Sequence, residues 1–286
     1  MPGEQHNPRR GRAGCSPARG EGVGDKSTPP PARPSGRASG VVPLLSAKGW
    51  WESYRWADRA FLVCLGIAGA ILVFLEFVAY TPIYLYFFAW TLGVGIPLFL
   101  GRDAVRAAVR SILVRTSLVR FLVLGATMVL AEETVAALVN SMKEGFSFGL
   151  WLHRIPQFWL FNLLVFLPLF LGWYLVARHV RYTLRETAYL TGAVGIYSEH
   201  ILAIWFTNPL AAAIFTPVEI ATYAVIALPA MLSIPLPAPR AYNWPSWARY
   251  VVILVVPIVL AGVGAAIAEG LRGFEPGWFP PRSEIP

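Results

Sequence analysis

Cysteine, charge and histidine are what this chain of 286 residues has least of. Its two cysteines, Cys15 in a Pro/Gly-rich tail and Cys64 in an apolar run, offer no disulfide framework, and no CxxC motif exists. Only 14% of residues are charged, which excludes an ordinary solvated globular surface over most of the chain. Of four histidines a single one, His200, lies deep in an apolar run, which excludes haem clamped between paired intramembrane histidines. No P-loop, HExxH or EF-hand pattern occurs.

What the chain has instead is apolar sequence, 56% of residues, gathered in long runs and not spread through amphipathic periods. Runs near 60 to 79, 83 to 100, 121 to 142, 157 to 177, 186 to 206, 210 to 234 and 250 to 270 are long enough to cross about 30 Å of hydrocarbon. The fold class read from this pattern is all-α, a polytopic integral membrane helix bundle of about seven transmembrane helices over 60 to 270. Thr81 with Pro82, and Asn208 with Pro209, supply the turn chemistry of two tight hairpins.

Charge sets the orientation. With the amino terminus in the cytoplasm, 20 of the 24 Lys and Arg residues fall on that side, and the carboxyl terminus, with a short tail over 271 to 286, is outside. The expected location is the cell membrane, as a multi-pass protein. The net charge of +8 is accounted for by this topology, without a nucleic-acid partner. Residues 1 to 47, rich in Pro, Gly, Ser and Arg, cannot bury enough surface to fold and read as a disordered cytoplasmic tail. Residues 48 to 59 mix Trp50, Trp51, Tyr54 and Trp56 with Lys48, Arg55 and Arg59, the composition of an interfacial helix. Between 102 and 120, arginines recur every four or five residues with Val105, Val109 and Ile112 between them. That pattern suits a helix lying on anionic lipid of the cytoplasmic leaflet.

Five ionisable side chains interrupt the apolar runs: Glu132, Glu133, Glu199, His200 and Glu219. A charge in hydrocarbon costs a few kcal/mol or more unless paired, neutralised or hydrated, so their common depth marks a candidate site. Adjacent residues on a helix point about 100° apart. Glu133 shares a stripe with Ala137 and Asn140 and is the preferred inward group of its pair. Gly192, Gly195 and Glu199 lie along one face, a small-small-polar pattern that admits a neighbouring helix. Pro217, two residues before Glu219, predicts a broken helix there, with Thr216, Thr222 and Tyr223 around it. No Lys or Arg is expected at this depth, which leaves protonation or a divalent metal ion, with Glu oxygens and one imidazole as ligands, as the ways to hold the cluster.

Other patterns fail on context. Gly145-Phe-Ser147-Phe-Gly149 matches a nucleophile elbow but has no strand before it. Glutamate-dependent intramembrane prenyl-protein proteases carry EExxxR, then FxxxH, then HxxxN; here the arginine position is Ala137, the aromatic position before His200 is Ile196, and four residues after His200 comes Ile204. A retinal protein needs a lysine in the last span, and none is present. Three function classes remain: a proton- or metal-linked transporter or transport-associated protein, an intramembrane enzyme acting on a lipid or isoprenoid, and an assembly protein whose polar groups specify helix pairing.

Overall fold

The computed structural model describes residues 55–79, 83–112, 116–143, 145–234 and 245–274. The tail over 1 to 47, most of the stretch 48 to 59 and most of 271 to 286 lie outside them. Every element among the described residues is helical, as lipid demands of a chain that must satisfy its own backbone. In order they are α1 (Trp56–Ala79), α2 (Ile83–Tyr86), a π-helix (Phe87–Gly95), α3 (Ile96–Leu100), α4 (Arg102–Ser111), α5 (Ser117–Lys143), α6 (Phe148–Ala177), α7 (Leu184–Ser198), α8 (Ile201–Thr207), α9 (Pro209–Ser233) and α10 (Ser246–Phe274). Five of them, α1, α5, α6, α9 and α10, are long and apolar enough to cross a membrane. The protein is therefore an integral, multi-pass membrane protein.

The two other apolar runs are segmented. Residues 83 to 100 form α2, the π-helix and α3 end to end, and residues 184 to 207 form α7 and α8 around a break at Glu199 and His200. The sequence places that break at Pro217 instead, yet α9 runs through Pro217 unbroken. A proline removes one helical donor. Here Thr216 donates to the Ala212 carbonyl at 2.7 Å and receives the Trp205 indole N–H at 3.1 Å, which supplies polar contacts at the interrupted turn. The arginine-rich stretch is also shorter than its pattern suggests: α4 stops at Ser111, and Arg120 belongs to α5.

At the centre is α9, packed against α1, α5, α7, α8, α4 and the π-helix, while α10 lies mainly along α6. Glycines set the closest approaches. A Cβ on Gly192 would meet the Ile220 backbone at 2.7 Å, and one on Gly195 the Tyr223 ring at 2.4 Å, so both glycines of the predicted small-residue face admit α9. The main core joins Phe121, Phe166, Phe170, Trp173 and Tyr174. Val109 of α4 packs on Leu228 and Leu232, seating that helix against the end of α9.

Polar side chains tie the arginine-rich end together. Thr183 and Glu186 form a capping box on α7, with Thr183 N–H donating to Glu186 at 2.8 Å and Glu186 N–H to Thr183 Oγ1 at 3.1 Å. The Glu186 carboxylate also accepts from Arg249 at 2.5 Å and from Tyr250 at 2.6 Å, which joins α7 to α10. Tyr182 donates to the Arg249 carbonyl at 2.7 Å, and burial pushes its phenol well above its ordinary range against the opposing pull of the Arg249 charge. On α1, Asp58 pairs with Arg185 at 2.8 Å and accepts from Tyr189 at 3.1 Å. Glu186→Ala removes the cap and the ion pair together and should cost about 2 kcal/mol in a denaturant titration of the micellar protein. A double-mutant cycle with Arg249→Ala should show the two losses to be non-additive.

Candidate functional site

Glu132 and Glu133 sit just past the middle of α5 and are 8% and 7% exposed, so both acids of the pair are removed from solvent. Tyr86, the last residue of α2 before the π-helix, donates its hydroxyl to Glu132 Oε1. Glu133 is the neighbour of Glu132 on the same helix. Tyr86 lies within electrostatic reach of Glu132, Glu133 and Glu219.

The break between α7 and α8 presents Glu199. Its N–H closes the last turn of α7 on the Gly195 carbonyl at 2.9 Å, and the next residue, His200, is left-handed at φ 57°, ψ 20°. Only His200 among the described non-glycine residues has positive φ, a conformation that costs an L-residue roughly 1 kcal/mol. The imidazole of His200 is exposed, whereas the half-buried Glu199 accepts the Tyr223 hydroxyl at 2.9 Å. Ser198 Oγ lies 2.7 Å from the same hydroxyl. A turn that would be a defect in a continuous span is here what delivers a carboxylate to a tyrosine on α9.

Glu219, half-buried on α9, completes the group. It lies within electrostatic reach of Glu199 and of Glu132, and Glu132 and Glu199 are within reach of each other. Three of the carboxylates singled out in the sequence, on α5, at the α7–α8 break and on α9, thus lie within electrostatic reach of one another. Glu133 joins through Glu132, and His200 stands apart on the exposed side of the break. The spacing is electrostatic and not coordinative: among the described residues no three His, Cys, Asp or Glu side chains are gathered closely enough to hold a metal ion.

Two side chains at this level escape the sequence reading. Tyr86 is one, because an aromatic in an apolar run is equally at home in a core or at an interface. The other is Arg154, 6% exposed. The sequence leaves it in an outer loop, but α6 starts at Phe148, with the Ser147 hydroxyl accepting from Leu150 N–H at 3.0 Å as its cap. Trp151 and Trp159 donate their indole N–H groups to the carbonyls of Thr134 and Leu130 at 3.2 and 3.0 Å. Those two bonds fix the register of α5 against α6 and bring Arg154 level with Glu132 and Glu133. The Ser147 cap followed by Phe148, Leu150 and Trp151 is the signal that could have moved the helix start. Glu76 of α1, half-buried, has one carboxylate oxygen without a hydrogen-bond partner among the described residues.

Comparison with known protein families, with characterised proteins and with solved structures finds no match to this chain.

Proposed function

We propose that this membrane protein is a proton-linked transporter or transport-associated protein in which Glu132, Glu199 and Glu219 carry the protons. One observation supports the reading above the rest: three carboxylates from three separate helical segments share one electrostatic neighbourhood, two of them accepting tyrosine hydroxyls. Ionisable groups within membrane-spanning segments are costly to keep and for that reason commonly mark ion or proton pathways. Segment boundaries at Tyr86 and Glu199 put one carboxylate, and the tyrosine that engages another, where helices change direction or pitch, the places where transporters couple ion binding to movement. Glu133 and Arg154 form the flank of the group toward α6. A divalent metal takes second place to the proton because the described donors are not gathered around one point.

The wider topology belongs to the same proposal: seven crossings of the cell membrane, with the segmented runs 83–100 and 184–207 as the second and fifth, and a cytoplasmic amino terminus. The arginine-rich end then faces the cytoplasm, and α4, with Val109 inward, Arg102 and Arg106 half-buried and Arg110 exposed, rests on anionic lipid. An intramembrane enzyme could use the same carboxylates as acid and base, but the broken helices favour transport.

Infrared titration of the protein in lipid nanodiscs tests the proposal. A protonated-carboxyl band should grow reversibly as pH falls and should be smaller in Glu132→Gln, Glu199→Gln and Glu219→Gln. A band that stays constant over the whole range in which the protein remains folded, or one unaffected by the three substitutions, would refute it.

A further inference from the structure

Three helices end at one cavity. Ala177 is the last residue of α6, Leu184 the first of α7, and Ile234 follows the last residue of α9; all three border a cavity of about 80 Å³ that has Arg106 of α4 in its wall. The ends of spanning helices mark the level at which hydrocarbon gives way to lipid headgroups. Tyr182, also in the wall, is a residue type favoured there.

Size limits the occupant. Pockets that enclose a small-molecule ligand run to about 300–1,000 Å³, so this cavity takes a single group at the end of a longer molecule. The lining sets the chemistry of that group. Leu184 and Leu232 offer apolar surface to carbon, whereas Arg106 and Thr187 offer donors; the Tyr182 hydroxyl is already given to the Arg249 carbonyl. The ion pair of Arg106 with Asp103 spans 3.6 Å between side chains 43% and 82% exposed, a solvated contact worth little that leaves guanidinium N–H groups for another acceptor. Two other acids at this end are engaged elsewhere, Glu186 with Arg249 and Tyr250, and Asp58 with Arg185 and Tyr189. Carbonyls at the ends of α6 and α9 disfavour an anion, so its hold on the cavity has to come from Arg106, with the Thr187 hydroxyl second.

We propose that this cavity binds an anionic phospholipid, with the headgroup phosphate on Arg106 and Thr187 and the adjoining carbons on Leu184 and Leu232. The proposal rests on the reading of α4 as a lipid-facing helix and makes no use of transport. It replaces a diffuse attraction to the leaflet with one seated molecule.

Native mass spectrometry of the full chain released from detergent micelles tests it, with phosphatidylglycerol and phosphatidylcholine as the probes. Phosphatidylglycerol should be retained in preference to phosphatidylcholine, whose choline cancels the phosphate charge. Arg106→Gln should weaken the tightest binding about tenfold or more, the scale of a hydrogen bond to a charged group. Thr187→Phe, which fills the cavity, should abolish it. Arg110→Gln, exposed on the same helix and outside the lining, should change it by no more than about twofold. Should Thr187→Phe fail to fold, the two arginine variants, neither of them in the core, still decide. Equal losses in Arg106→Gln and Arg110→Gln would overturn the site and leave α4 in diffuse contact with anionic lipid, whereas no preference for phosphatidylglycerol would overturn both. Displacement of the lipid by glycerol 3-phosphate at matching concentration would also overturn the proposal, because it would mark a site for soluble phosphates.

Discussion

Gly264→Ala should destabilise the protein by about 3 kcal/mol, the upper part of the range for overpacking a tight contact. The added methyl would lie 2.0 Å from the Leu164 carbonyl oxygen and 3.1 Å from the Val165 Cα, and neither is a flexible side-chain end that could swing away. Relief requires α10 to back off α6 along the contact that also presses Pro257 onto Gly172, where a Cβ would come within 2.6 Å of the Pro257 Cα. Gly262, two residues away, meets nothing within 4 Å. Gly262→Ala should therefore stay within about 0.5 kcal/mol of the parent protein. Unfolding of both variants by a denaturing detergent in mixed micelles gives the comparison. Equal stability of the pair would show that α6 and α10 are not held at glycine distance.

The second large effect is functional and separates charge from packing at the helix break. In Glu199→Gln the side-chain carbonyl still accepts the Tyr223 hydroxyl, so the fold should be unchanged while the site loses one carboxylate. Proton-linked activity should then fall by about 100-fold, the scale of losing a positioned acid or base. Glu199→Leu should lose the activity and about 1 kcal/mol as well. The structural cost stays moderate because Ser198 remains 2.7 Å from the Tyr223 hydroxyl. Activity in proteoliposomes with an internal pH dye, set beside unfolding curves for the same samples, resolves the two losses. Full activity in Glu199→Gln with a destabilised Glu199→Leu would instead mark the carboxylates as pairing devices between helices.

The membrane class and the apolar segments were legible in the sequence because each rests on a one-dimensional signal, the length and composition of an apolar run. Where a helix breaks was not. Pro217 carries the obvious local signal, but Thr216 and Trp205 support the turn it weakens. The Glu199–His200 break carries none, since neither residue is a helix breaker and the left-handed turn is imposed by what surrounds it. Nor could spacing alone tell which acid of the pair on α5 meets the others. Both are buried, and it is Tyr86, arriving from α2, that engages Glu132. The depth of Arg154 was hidden by Pro156, which resembles a boundary and lies inside α6.

The π-helix from Phe87 to Gly95 gives its rod two pitches. Its turns hold more residues than those of α2 and α3, so the stripe that leads Gly95 onto Val225 does not continue the stripe that sends Tyr86 to Glu132. Recovering the ordinary pitch would turn Tyr86 around the axis by roughly 20° for each residue converted while Gly95 stayed seated. The segment is built as a screw with a change of thread, and the carboxylate at α5 is engaged only at one setting of it.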